Sequence, residues 1–358
     1  MKKIGIITIN GDNNYGNRLQ NYALEQSIKK MGYNVETVVF PDKVTIKDFL
    51  RKIKKNLNKN YRENQKKFKK MESLKNDSFK EFRTNYLNNV NLNNNADLGS
   101  FDRFITGSDQ VWNPSWHLID TQWLRFVDSK KRFSYAASMA TTKIHPSNTK
   151  KLPVYLNEMN EISVREAESV PFIKKLTGRD AKLVIDPTML LHKEDYETLI
   201  SKQNNSRVDK NNPYVLIYTL TGLSKDVQSK IKKLAEKNNW KIITVMGNEY
   251  NPDHMAYSPI EFVEAIKNAE VVLSDSFHCG VFSILMETQF ILFNRTDGQP
   301  MNSRITTLLD KFDLVDQYYT NGELEDFLNI DFSKVSNKLE NERKDGRAYL
   351  EYILSKPI

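Results

Sequence analysis

Val271-Val272-Leu273-Ser274-Asp275-Ser276-Phe277-His278-Cys279-Gly280 is the stretch on which the fold turns. Its apolar opening is short enough for a buried parallel strand, and Asp275 and Ser276, both good helix N-caps, lead out of it. Val281, Phe282, Ile284 and Leu285 then give a helix its apolar face, and Phe290-Ile291-Leu292-Phe293 reads as the next buried strand. A strand–turn–helix–strand unit of this kind belongs to an open α/β sheet, where ligands bind outside the carboxyl ends of the strands. The unpaired N–H groups at the start of the helix favour an anion, and His278 would stand beside it. The same spacing also suits a His278 that merely closes the helix end.

The alternation extends both ways from this unit. A strand at Ile4 to Ile9 runs into the polar loop Asn10 to Asn17, then a helix from about Arg18 to Met31, then a strand at Val35 to Phe40. The loop lacks the glycine spacing of a dinucleotide fingerprint, so no such cofactor is expected. Further strands are expected at Phe101 to Thr106, Phe133 to Ser138 and Ile162 to Glu166, and Lys182 to Thr188 closes this half, with Pro187 fixing the turn and Asp186 capping or orienting a neighbour. After a polar helix and linker from His192 to Asn212 the pattern restarts, with strands at Tyr214 to Thr219 and Lys241 to Met246. The expected fold class is α/β, two doubly wound Rossmann-like domains facing a cleft in the glycosyltransferase-B-like plan. The N-terminal domain, expected as the acceptor side, is assigned to 1–195, with a basic helical insertion at about 45–90, and the C-terminal domain, expected as the donor side, to 213–332. A helix at 333–358 is expected to pack back on the first domain.

Composition sets the outer limits. The chain has 358 residues, 39% of them hydrophobic, enough for two cores. Its single cysteine, Cys279, excludes an internal disulfide and points to a reducing, cytoplasmic setting. Lys3 to Ile9 is too short an apolar run for an export core, and no run reaches membrane-spanning length. The net charge of +8 is concentrated: Thr45 to Arg83 carries 14 Lys or Arg against 5 Asp or Glu. That segment suits a solvated helical face, or peripheral contact with an anionic membrane through 45–83. No nucleic-acid module surrounds it, so nucleic acid is not an expected partner.

Other strand ends carry polar groups. Gly107-Ser108-Asp109-Gln110-Val111-Trp112-Asn113 offers a carboxylate, amides and an indole, a mixture that meets sugars well. Asp109 as a helix cap with Trp112 in the core is the competing account. Arg165 can grip a carboxylate or phosphate with paired donors, unless it serves only to pair with Glu166. Arg304, at the mouth of a helix, is placed near the same crevice by position alone.

Taken together and in order, five motifs identify a resemblance. The chain resembles the polysaccharide pyruvyl transferase family along nearly its whole length. The motifs are Asn13-Asn14-Tyr15-Gly16-Asn17 with Leu19 to Leu24, then Gly107 to Asn113, Ile162 to Glu166, Asp186-Pro187-Thr188 and Ser274 to His278. The resemblance implies transfer of a pyruvyl group from phosphoenolpyruvate to sugar hydroxyls, forming a pyruvate ketal during bacterial surface polysaccharide biosynthesis. Phosphoenolpyruvate would be the donor substrate, with no cofactor and no metal, and the acceptor a sugar or lipid-linked oligosaccharide. By resemblance Arg165 and His278 hold the donor, with Ser276, Cys279 and Gly280 at the helix start and Arg304 added from position. The family has glycine directly after the histidine, whereas Cys279 intervenes here. His278 is the candidate acid or phosphate ligand, because histidine changes charge nearest neutrality. Asp109 is the candidate base or acceptor ligand, and Asn14, Asn17, Trp112 and Asn113 are the acceptor-side candidates. Two other readings stay open at this point: a nucleotide-sugar-dependent glycosyltransferase, and a non-catalytic member that binds acidic glycans.

Overall fold

The computed structural model describes residues 2–11, 14–40, 61–91, 95–246, 254–295 and 303–358, and of 61–70 and 95–97 the backbone alone. Strand β1 (Lys3–Ile7) feeds helix α1 (Tyr15–Lys30), which returns to β2 (Asn34–Val39). Helix α2 (Tyr61–Tyr86) follows, then β3 (Asn89–Asn91), β4 (Arg103–Thr106) and β5 (Arg132–Ser134). These strands form one parallel sheet in the order β3-β2-β1-β4-β5. Helix α3 (Lys151–Asn157), β6 (Ser163–Val164), α4 (Ser169–Thr177) and β7 (Lys182–Leu183) continue the alternation. Bridges Phe133–Glu161 and Ala137–Val164 carry the parallel pattern from β5 to the β6–β7 pair.

Helix α5 (Lys193–Ser201) precedes the second sheet. This sheet holds β8 (Tyr214–Tyr218), β9 (Lys241–Thr244), β10 (Val271–Ser274) and β11 (Gln289–Leu292), parallel in the order β11-β10-β8-β9. Its helices are α6 (Lys225–Asn238), α7 (Pro259–Lys267), α8 (Phe277–Met286) and α9 (Ser303–Phe312). All four residues of β10 are buried, as a strand covered on both faces requires. Two doubly wound parallel sheets with helices between them make a glycosyltransferase-B-like fold.

The final helix, α10 (Phe332–Ser355), lies against the first sheet. Arg103 of β4 donates to the carbonyls of Ile353 and Lys356, and Tyr349 Oη donates to the Ser134 carbonyl at 3.2 Å. A single buried cluster runs through both sheets, from Ile4 and Leu19 to Phe262, Phe282 and Leu354. At its centre Tyr15 stacks on Phe262 with 4.3 Å between ring centroids, and its hydroxyl donates to the Tyr257 carbonyl at 3.0 Å. The first turn of α1 is thereby held against the second sheet's helices.

Several local expectations change. Helix α1 begins at Tyr15 rather than near Arg18, because Asn14 acts as its N-cap and accepts the Asn17 N–H at 3.0 Å. Residues 15–17 are therefore helix and not loop. Of the basic stretch expected as an insertion at about 45–90, residues 45–60 lie outside the described residues. Its part from Tyr61 to Tyr86 is the single 26-residue α2. Among the described residues no helix is long and apolar enough to cross a membrane, and no group of three or more metal-type ligands is found.

Candidate active site

The site forms where the carboxyl ends of the two sheets meet. From the first sheet, α1 starts beyond β1; from the second, α8 starts beyond β10. These two helix starts touch. A Cβ on Gly16 would lie 2.0 Å from His278 Nδ1, so the imidazole fills the space that any other residue would need. His278 is 6% exposed, and its Nε2 stands 3.6 Å from Asp186 Oδ2.

Asp186 is the hub. One of its oxygens accepts from Arg165 Nη1 at 2.5 Å and from Ser108 Oγ at 3.1 Å; the other accepts the Thr188 N–H and hydroxyl. Burial pushes this carboxyl upward, but His278 and Arg165 more than reverse that, and its pKa lies well below the usual carboxylate range. It is an ionised group inside the protein, tolerable because every oxygen is bonded. Sequence reading gave Asp186 a capping or orienting part, and it does cap the 3₁₀ turn Pro187–Leu190. That it also ties Arg165 to His278 had no signal in the spacing of these residues.

Arg165 is 3% exposed, and its guanidinium lies 4.2 Å over the Phe277 ring. Its Nε is 3.7 Å from Glu166, but that carboxylate is taken up by the Ser138 hydroxyl and the Met139 N–H. Nε and Nη2 of Arg165 are buried with no hydrogen-bond partner among the described residues. A small cavity lined by Arg165, Asp186, Phe277, Arg304 and Thr307 adjoins them. Arg304 reaches this cavity because the start of α9 is docked on the first half: Thr307 Oγ1 accepts the Ala167 N–H and Ser303 Oγ donates to the Ala140 carbonyl. Burial, with Arg165 and Arg295 adding to it, brings the Arg304 pKa down to about 10. It remains a cation at neutral pH.

Asp109 faces the same group. It has a left-handed backbone, φ 65°, which aspartate tolerates better than most residues, and its carbonyl is fixed by the Val111 and Ser138 N–H groups. Asn17 Nδ2 donates to its Oδ2 at 3.0 Å. Burial would raise its pKa, but Arg165, His278 and Arg304 bring it below the ordinary value. Asn17 is itself held by Arg18, which donates to its side-chain oxygen. Asp109, Asn17, Arg165, His278 and Arg304 are thus brought together from five separate stretches of chain.

Other expected residues go elsewhere. Trp112 is fully buried and stacks on Trp123 at 4.5 Å and 4° between ring planes, so it offers no face to a sugar. Trp112→Phe should cost about 1–3 kcal/mol of unfolding free energy, measurable by urea titration, as for a core residue. Asn113 is spent on the turn, with its amide donating to Gln110 and its oxygen accepting from Ser115. Asn14 is engaged as the α1 cap. Cys279 is wholly buried and its thiol is pushed up to about 12 by burial, while a Cβ on Gly280 would meet Leu292 at 2.9 Å. Both pack α8 against its neighbours and do not line the cavity. Asp275 does not cap α8. It reaches across to the β8 end and accepts from the Leu220 and Thr221 N–H groups and the Thr221 hydroxyl. Ser276 holds the cap position without a side-chain capping bond, leaving that helix end for another acceptor. Phe277, the ring under Arg165, was missed because an aromatic at a helix start looks like ordinary core.

Solved structures show the same architecture at low identity. UDP-GlcNAc 2-epimerase from Methanocaldococcus jannaschii superposes with a TM-score of 0.55 at 12% identity, over 99% of this chain and 100% of that one. UDP-GlcNAc 2-epimerase from Neisseria meningitidis, bound to UDP-GlcNAc, gives 0.52 at 10% identity over all of both chains. At these identities the likeness is one of fold. No curated protein matches the chain in sequence. The family model "Polysaccharide pyruvyl transferase" matches residues 14–297, a span holding every part of the site except α9, and on that match the chain belongs to the polysaccharide pyruvyl transferase family.

Proposed function

We propose that the protein transfers a pyruvyl group from phosphoenolpyruvate to two hydroxyls of a sugar, forming a ketal and releasing phosphate. The observation that carries this reading is the buried, incompletely bonded guanidinium of Arg165 beside Arg304, at a crevice where the starts of α1 and α8 meet. A donor with a carboxylate and a phosphate on one small skeleton needs such a cluster of cations and helix N-termini. In the reaction a proton is added to the methylene carbon, positive charge develops at the central carbon, and one sugar hydroxyl attacks it while losing its proton. A second hydroxyl then displaces the phosphate, and its proton also leaves. His278 is suited to deliver the first proton or to bind the phosphate. Asp109, held ionised by the surrounding cations, is suited to accept a proton from a hydroxyl. Asn17 orients that carboxylate. Asp186 acts through Arg165, which it holds at 2.5 Å, and through His278, whose Nε2 stands 3.6 Å from the same oxygen.

The test is calorimetric titration with phosphoenolpyruvate, inorganic phosphate and UDP-GlcNAc on the native protein, Arg165→Lys and His278→Gln, with thermal melts to confirm folding. Phosphoenolpyruvate should bind, and Arg165→Lys should weaken it by at least about tenfold, since lysine keeps the charge but loses the paired donors. Binding of UDP-GlcNAc alone would replace this reading with that of a nucleotide-sugar enzyme.

A further inference from the structure

The loop that begins at Asp109 ends in a surface feature that the chemistry above leaves unused. Of the four tryptophans, Trp112 and Trp123 are buried and Trp240 is half-buried, but Trp116 is 49% exposed. Ile119, at 51%, is also exposed, as are the imidazoles of His117 and His145, whose ring centroids are 5.4 Å apart. Such a side chain on a loose loop would mean little. This one is held from below. Asn148, 2% exposed, donates its amide to the Trp116 carbonyl at 2.6 Å and to the Pro114 carbonyl at 2.9 Å. His145 N–H donates to the same Pro114 carbonyl, and Trp116 N–H to the Asn113 carbonyl. The turn between Asp109 and Asn113 is fixed in its own right by Ser138 and Gln110. An indole is thus presented to solvent on a rigid base, seven residues along the chain from Asp109, at the same sheet end.

We infer that Trp116, flanked by His117 and His145, is an outer acceptor subsite that stacks a sugar ring of the glycan beyond the unit being modified. A pyranose has one apolar C–H face and a rim of hydroxyls, which an indole plane with imidazoles at its edge matches. The alternatives fit less well. Residues 110–122 contain no Lys or Arg although the chain carries +8, which disfavours an anionic bilayer. This inference takes its glycan acceptor from the reading above but does not depend on the donor. It implies that oligosaccharides bind better than monosaccharides, with the gain residing in Trp116.

The test uses a printed array of di- to hexasaccharides built from hexoses and N-acetylhexosamines, probed with and without phosphoenolpyruvate. The probes are the native protein, Trp116→Ala and Trp116→Phe, each also titrated with phosphoenolpyruvate. The native protein should bind at least one oligosaccharide. Trp116→Ala should weaken that binding by about tenfold or more, and Trp116→Phe should keep most of it. Donor binding and melting temperature should be unchanged in both variants. Glycan binding equal in Trp116→Ala, or absent from the native protein in either condition, overturns the inference. So does Trp116-dependent retention on phosphatidylserine vesicles without glycan binding. If phosphoenolpyruvate fails to bind while glycan binding still depends on Trp116, the donor reading falls and the subsite stands.

Discussion

Gly16→Ala is expected to lower phosphate release from phosphoenolpyruvate by roughly 100-fold or more, because a methyl group at this position would stand where the His278 ring now lies. His278 has little room to yield, with Phe277 beside it, Asp186 at 3.6 Å and 6% of its surface exposed. The added methyl also overpacks the contact, at a cost of about 1–3 kcal/mol in unfolding free energy. Turnover measured beside a urea titration separates the two effects, since a stability loss of that size leaves the protein folded at ambient temperature. Near-native turnover in a folded Gly16→Ala protein would show that the imidazole's position against α1 does not matter. Gly16→Ser should behave as alanine does, because the Cβ itself makes the clash.

The second large effect concerns the buried Arg165–Asp186 pair. Removing either charge leaves the other without its nearest opposite charge in the interior, which costs about 3–5 kcal/mol. Arg165→Met should therefore unfold at markedly lower urea concentration, and Asp186→Asn should do the same while also releasing Arg165 and His278. The two losses should not add in the double variant, since each single change already breaks the shared interaction. Additive losses would mean that the pair contributes nothing as a pair. The pH dependence follows from the direction of the Asp186 shift. Its folded pKa is depressed, so its stabilising contribution is complete at neutral pH and is lost as pH falls below about 4, where the unfolded carboxyl takes up its proton first. In Asp186→Asn the acid limb of the stability curve should be shallower than in the native protein, and Asp109, shifted in the same direction, supplies part of what remains.

Much of this architecture was open to reading because its signals are local. Apolar runs such as Val271-Val272-Leu273 and Phe290 to Leu292 are buried on both faces in a parallel sheet, and their composition reflects that without reference to anything distant. The ordered motifs around Asn17, Asp109, Arg165 and His278 likewise named residues that the fold brings to one place. Their partners were harder to name. Spacing offers Arg165 its neighbour Glu166, yet its short bond is to Asp186, 21 residues on, because Glu166 turns to Ser138 and Met139.

Which side chains face the site was decided by tertiary contact alone. The Gly107 to Asn113 motif announces an indole near a carboxylate, but only the position of Trp123 determines that Trp112 is core, leaving the exposed face to Trp116. Cys279 and Gly280 sit one and two residues beyond His278, and the rotation of α8 against Leu292 and Leu308 turns both inward. The class of fold, the family and the helix start after Ser276 could be read from the chain alone, since these rest on local periodicity, capping residues and motif order. The tertiary structure decided the pairing of Arg165 and His278 through Asp186, and the fit of Gly16 against His278, because each joins residues that only packing brings together.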